Sequence, residues 1–296
     1  MNKNYHTSVL LKETIDLLSI ERGSKYIDST LGGGGHTKVI LDHGGTVLGI
    51  DADEDSINFV KENLKGYENL SLAQGNFANI DKIARENGFE NAAGIVMDLG
   101  VSSHQIDDET RGFSYLREGP LDMRMDKNSQ VKAADLLNIL TKGELYETFI
   151  KYGQEPRSRA ISNSIIESRR VKAFEKTSDL TKIVEEAYGV RGEIDMKRKA
   201  QINNRVFQAL RIAVNDELNV LSEALPKAVS VLSKKGRLVV ITFHSLEDKI
   251  VKHSFLEMQG LGLGIVITKK PIVPAFVEMT ENRRSKSAKL RVFEKI

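Results

Sequence analysis

The chain has 296 residues, of which 28% are charged and 40% hydrophobic, and its net charge is +2. That is enough for one large core, or a core with a smaller satellite domain, and a composition so close to the globular average excludes long-range disorder. Having no cysteine, it excludes disulfides, thiolate catalysis and Cys-ligated zinc or iron–sulfur clusters, and no run approaches the ~20 apolar residues of a membrane span. The net charge is too small to argue for nucleic acid, and distribution says more than the sum. Basic residues gather in the middle (Arg157, Arg159, Arg169, Arg170, Lys172, Lys197, Arg198, Lys199) and near the end (Lys269, Lys270, Arg283, Arg284, Lys286, Lys289, Arg291). The first six residues lack the apolar core of a signal peptide. A cytoplasmic protein without membrane contact is expected.

The pattern over 8–18 suits a short amphipathic helix. Strand and helix signals then alternate. Strands are expected at 25–28, 46–51, 70–73 and 93–98, and helices at 36–41, 53–64 and 80–87. Such alternation predicts a parallel sheet with helices on both faces. The rhythm stops at 100–126, a stretch rich in Gly, Asp and Ser. Helical signals follow at 133–140, 142–151, 157–169, 178–187 and 204–225, and strands return at 236–243, 265–269 and 289–294. The simplest organisation is an α/β domain made of 1–105 and 206–296, interrupted after its fourth strand by a mostly helical insertion, 106–205.

Ligand signals sit where the early strands end. Asp28-Ser-Thr-Leu-Gly-Gly-Gly-Gly-His36 is a glycine-rich turn after a strand. Its glycines let a ligand approach the main chain, and the helix behind it points free N–H groups at that ligand. Asp51, at the end of the second strand, suits ribose hydroxyls. An acid before the glycines would repel a pyrophosphate but could meet a cationic amino group, so the pair favours S-adenosylmethionine over a dinucleotide; helix capping is the competing role for both acids. Asp98, after the fourth strand, is placed to touch both cofactor and substrate. In Phe243-His-Ser-Leu-Glu-Asp248, Ser245 and Asp248 approach a capping box. A hydrolase reading fails for want of the G-x-S-x-G elbow, and His244, Glu247 and Asp248 lack a recognised metal-ligand spacing, so no metal is expected. Arg111, Phe113, Tyr115 and Arg124 lie in the polar stretch. Exposed aromatics and arginine planes stack on unpaired bases; for Phe113 and Tyr115 the competing role is packing of the insertion.

These segments, together with His6-Thr-Ser-Val-Leu-Leu-Lys-Glu13, Asp98-Leu-Gly-Val-Ser-Ser103, Arg111-Gly-Phe-Ser114, Gly119-Pro-Leu-Asp-Met-Arg-Met-Asp126, Phe207-Gln-Ala-Leu-Arg-Ile212 and Arg284-Ser-Lys-Ser-Ala-Lys-Leu-Arg291, closely resemble the ribosomal RNA small subunit methyltransferase H (MraW) family over nearly the whole chain. The resemblance implies a Rossmann-like class I methyltransferase sheet with an inserted helical domain. It implies S-adenosyl-L-methionine as cofactor and the exocyclic N4 amine of one cytidine, family position 1402 of 16S rRNA, as methyl acceptor. The family's cofactor contacts fall on Gly34, Gly35, His36, Asp51, Phe77, Asp98 and Gln105. Departures occur at Gln154, at 201–204 and at Arg283, where the family usually carries Glu, His-Pro-Ala-Thr and Pro; they bear on substrate contacts, not on the cofactor loop.

The cytosine amine is a poor nucleophile because its lone pair is delocalised into the ring. An acceptor for its hydrogens would help, and Asp98 is the first candidate, with His244 the weaker one. The base must be unpaired or pulled from its stack. Arg111, Tyr115, Arg124, Arg283 and Arg284 are the candidate substrate contacts. The implied partner is 16S rRNA or the small ribosomal subunit, with no DNA expected; oligomeric state, a homodimer included, stays open, as does any need for Mg²⁺ in folding the RNA. A Rossmann oxidoreductase would instead bind NAD, and a non-enzymatic RNA-binding factor would bind RNA without turnover.

Overall fold

The computed structural model describes residues 8–192 and 195–296. The start of the His6–Glu13 motif lies outside them. The chain divides into two compact units, 1–102 with 218–296, and 103–217. The expected boundaries were 106 and 206. The second differs because the last helix of the inserted unit runs on to Asn215.

The first unit opens with α1 (Leu11–Leu18). Then come β1 (Lys25–Asp28), α2 (Gly35–Asp42), β2 (Thr46–Asp51), α3 (Glu54–Asn63), β3 (Leu70–Gln74), α4 (Ile80–Glu86) and β4 (Ala92–Asp98). The inserted unit carries α5 (Ser103–Asp107), α6 (Ala133–Ile139), α7 (Lys142–Gly153), α8 (Ser158–Arg169), α9 (Thr177–Ala187) and α10 (Met196–Asn215). The chain returns through α11 (Glu217–Val231), β5 (Leu232–Thr242), α12 (Ser245–Gly260), β6 (Gly264–Val266), α13 (Phe276–Glu281) and β7 (Lys289–Lys295).

The seven strands form one sheet in the order β3-β2-β1-β4-β5-β7-β6. β1 to β5 run parallel, and β7 is antiparallel to both β5 and β6. Strand order reverses between β1 and β4, the switch point at which open α/β sheets bind ligands. Alternation along the strands builds two cores. Ile27, Leu48, Ile95, Met97, Leu238 and Val240 face α4, α11 and α12. Tyr26, Val47, Val96, Val239 and Ile241 pack with residues of α1, α2 and α3 on the other face. Because successive strand residues point to opposite faces, these near-continuous apolar runs mark strands covered on both sides.

The expected helix over 204–225 is two helices. Asp216 adopts φ 49 and stops α10, and α11 then continues through Pro226 to Val231. The proline removes one helical hydrogen bond, but Leu221, Ala224, Leu225, Ala228 and Val229 bury against the sheet and hold the helix on both sides of it. Among the described residues no helix is long and apolar enough to cross a membrane.

Candidate active site

Three of the five parallel strands, β1, β2 and β4, end in acids, and the glycine turn is stitched to them. Asp28 Oδ2 accepts the Thr37 hydroxyl at 2.7 Å, and Leu31 N–H donates to Ile50 O. Asp51 is the hub. Its Oδ2 accepts from Gly32 N–H and its Oδ1 from Asp53 N–H, both at 2.8 Å. Thr30 Oγ1 accepts the Asp98 N–H at 2.6 Å, tying the same turn to β4.

The glycines divide by task. Gly34 has φ +74, and a Cβ there would stand 2.9 Å from Val60 Cγ2; a Cβ on Gly35 would strike Ser8 Oγ. Protein therefore fills the space beside both. A Cβ on Gly32 would meet nothing nearer than 3.9 Å, so that is the open face of the turn. Asp28 is 1% exposed and engaged by Thr37 and Thr30 N–H. It anchors the turn rather than presenting an open carboxylate to a ligand's amino group.

Burial dominates the electrostatics. It pushes Asp28 and Asp51 up to about 6, and Asp98 well above the ordinary carboxylate range, helped by the nearby charges of Asp28 and Glu247. Burial pushes His36 down to about 4. His36 Nδ1 and Asp98 Oδ2 stand 3.8 Å apart. With the imidazole neutral and the acid protonated, they are neighbours without being an ion pair. His36 Nε2 and Asp98 Oδ1 are buried without a hydrogen-bond partner, an unusual state for buried polar atoms and one that a ligand relieves.

On the next strand end, His244 is the N-cap of α12. Its Nδ1 accepts from Glu247 N–H at 3.4 Å, and Glu247 Oε2 accepts from Phe243 N–H at 2.8 Å and His244 N–H at 3.2 Å. The capping pair is thus His244 and Glu247, not Ser245 and Asp248. His244 Nε2 lies 3.2 Å from Glu247 Oε1 without the alignment of a hydrogen bond. Asp248 points elsewhere, to Arg291 at 2.6 Å and Lys289 at 3.0 Å on β7. Those two cations therefore brace the sheet. From sequence, Glu247 is weighed only as a metal ligand and its capping role is missed, although a Glu three positions into a helix is the visible half of a capping box. Phe77 follows β3, half-buried against the core.

In the inserted unit, Gln105 is buried in α5. Arg111 is 5% exposed and donates from Nη2 to Arg124 O and Met125 O at 3.0 Å. Arg124 clamps Asp122 bidentately at 2.7 and 2.8 Å and also reaches Lys127 O. These arginines organise the polar stretch. They act as internal clamps: burial hides the face of Arg111, and both arginines spend their N–H groups on carbonyls and a carboxylate rather than on a substrate. Tyr115 stays half-buried, edge-on to Phe207 at 5.6 Å. Asn215, unforeseen, locks the same stretch: it accepts Met125 N–H and donates to Met123 O. Arg283 and Arg284 are exposed, in the 3-10 turn Arg283–Ser287 of the first unit.

Strand order, the glycine turn and acids at three strand ends define a Rossmann-type nucleoside-binding enzyme fold. The donor set fits a nucleoside that carries positive charge, because Asp51 keeps lone pairs for hydroxyls and a cation would offset the burial of Asp98. Residues 3–296 match the MraW methylase family, and the chain belongs to it. It is 45% identical to a ribosomal RNA small subunit methyltransferase H of Clostridium botulinum strain Loch Maree, across 98% of this chain and 99% of that one. The protein of the same name from strain Kyoto is 44% identical over the same shares. A solved rRNA methylase of Streptococcus thermophilus is 13% identical with a TM-score of 0.47, covering 100% of this chain and 99% of its own. The chain is an S-adenosylmethionine-dependent methyltransferase of the rRNA-modifying kind.

Proposed function

We propose that the chain methylates the N4 amine of a single cytidine, family position 1402, in 16S rRNA, in the small ribosomal subunit or its precursor and in the cytoplasm. The observation that carries this reading is the buried, unpartnered Asp98 Oδ1 at the switch point of the sheet. An exocyclic amine offers hydrogens, and an acceptor at that place would raise its nucleophilicity as charge develops. S-Adenosylmethionine supplies an electrophilic methyl group on a sulfonium. Asp51 would hold the ribose, and Gly34, Gly35, His36, Phe77 and Gln105 are the further cofactor contacts proposed. Phe77 would lie along the adenine. The turn anchored by Asp28, Asp51 and Thr30 fixes the site before a ligand arrives, and such alignment supplies much of the acceleration expected of a positioned reaction. His244, held by its own helix, is the candidate contact to the base. Tyr115 is the remaining aromatic candidate in the inserted unit, and Arg283 and Arg284 are candidates for phosphate contact.

The test is transfer of label from S-adenosylmethionine to small subunits of a strain lacking the modification, followed by nucleoside digestion. N4-methylcytidine at one site is the expected product. Label on another nucleoside, or on protein, would refute the proposed acceptor.

A further inference from the structure

Among the described aromatic residues only Phe276 stands in solvent, with 80% of its surface exposed. It opens α13, in the segment that joins β6 to β7, and that segment is pinned. Ile272 and Leu290 exchange both backbone hydrogen bonds at 2.8 and 2.9 Å, and Val292 N–H donates to Thr268 Oγ1 at 2.9 Å. Leu10 N–H donates to Glu278 Oε1 at 2.8 Å, and Ser285 is buried. Pro271 and Pro274 fix φ on either side of Val273. The ring is therefore presented by an ordered frame.

Cations flank it in sequence. Lys269, Lys270, Arg283, Arg284 and Lys286 are all exposed along 269–286, where the acids are Glu278 and Glu281, and Glu278 is occupied by Leu10. Of the other basic residues of this end, Lys289 and Arg291 are held by Asp248, and Lys295 donates to the Ser230 and Leu232 carbonyls. The cations of this end thus divide into those held within the fold and a set that is exposed along the segment carrying the one exposed aromatic ring. Positive charge tracks a phosphate backbone and an aromatic face takes bases of any sequence, which is the composition of a single-strand platform. Val273 and Val277 are exposed beside it and would suit a protein groove, but the surplus of cations favours a polyanion, and rRNA is the polyanion of the proposed reaction.

We propose that Phe276 stacks on an unpaired base of the substrate RNA, with Lys269, Lys270, Arg283 and Lys286 on the adjoining phosphates, forming an RNA-holding surface separate from the strand-end site. It rests on the reading of rRNA as substrate. The chain contains no tryptophan, so Phe276→Trp installs a single local fluorophore. Its emission is expected to quench on adding oligocytidylate or small subunits, and less so as salt rises. Phe276→Ala and Phe276→Leu are expected to weaken RNA binding by about five- to a hundredfold. Both should raise KM for small subunits with kcat and S-adenosylmethionine affinity unchanged, while Phe276→Tyr retains most of the affinity. Unchanged emission with RNA that demonstrably binds, or wild-type affinity in the alanine variant, overturns the proposal. So does an emission change driven by anionic phospholipid vesicles and not by RNA. If the unaltered protein binds no RNA at all, the substrate reading fails first and this surface falls with it.

Discussion

Burial raises Asp28 and Asp51 to about 6 in the folded chain, against 3.8 for an ordinary aspartate, and raises Asp98 well above that ordinary value too. These raised values mean that the contribution of each acid to stability is complete below the unfolded value and is lost as pH rises through the folded one. His36 has the opposite sign. Its folded value is about 4 and its ordinary value 6.5, so its contribution is present above 6.5 and lost as pH falls toward 4. Subtracting one variant from wild type isolates each group. Asp98→Asn is expected to gain stability relative to wild type as pH rises above about 4, whereas His36→Asn gains relative to wild type as pH falls from 6.5 to 4. Denaturant midpoints measured across that range check both; parallel curves would mean that neither group is buried as described. The same Asp98→Asn is expected to slow single-turnover methyl transfer by about a hundredfold or more. Arg111 makes a different prediction. Arg111→Ala strands the carbonyls of Arg124 and Met125 and should cost about 1–3 kcal/mol of stability. A loss of RNA binding without a loss of stability would restore Arg111 to the substrate surface.

Most elements of the α/β unit were legible because their signals are local. β1 and β2 run as expected from short apolar runs and terminal acids, and the glycine turn declares itself by composition. α12 was missed, since its apolar positions are thinly spread and its N-cap is a histidine, a residue that rarely serves there. The inserted unit's polar stretch was harder. Its order comes from Arg111, Arg124 and Asn215 bonding to main-chain atoms as many as 92 residues away in sequence, and no periodicity reports such contacts. The same long-range origin explains why Asp51 and Asp98 were legible as strand-end acids while the hydrogen bonds that each makes or lacks were not. The turn before α2 allows a direct test at this scale. Gly34→Ala must place a side chain at φ +74 against Val60, and should cost about 1–3 kcal/mol. Loss of cofactor affinity should accompany it, because α2 and Asp51 share the turn. A fully stable variant in thermal unfolding would show that the turn has other packings open to it.

At the scale of the whole molecule, a net charge of +2 gives almost no long-range pull on RNA, so affinity must come from where the cations stand. Many do not face outward for RNA: Arg111, Arg124, Lys289 and Arg291 are consumed within the fold. Arg159, Lys197 and Arg198 of the inserted unit are exposed, and so is the set between β6 and β7. Binding to a single strand loses affinity with salt in proportion to the phosphates contacted, about 0.7 in logarithmic slope for each. Reversing Arg283 and Arg284 to glutamate should therefore flatten the salt dependence by about that amount for each contact removed. Lys234 and Lys235 are the matched control. They are exposed at the start of β5, the end of that strand opposite His244, and reversing them changes net charge equally. Slopes that fall in both double variants would make overall charge the determinant. A fall confined to the Arg283 and Arg284 variant would assign the phosphate contacts to the segment that carries Phe276.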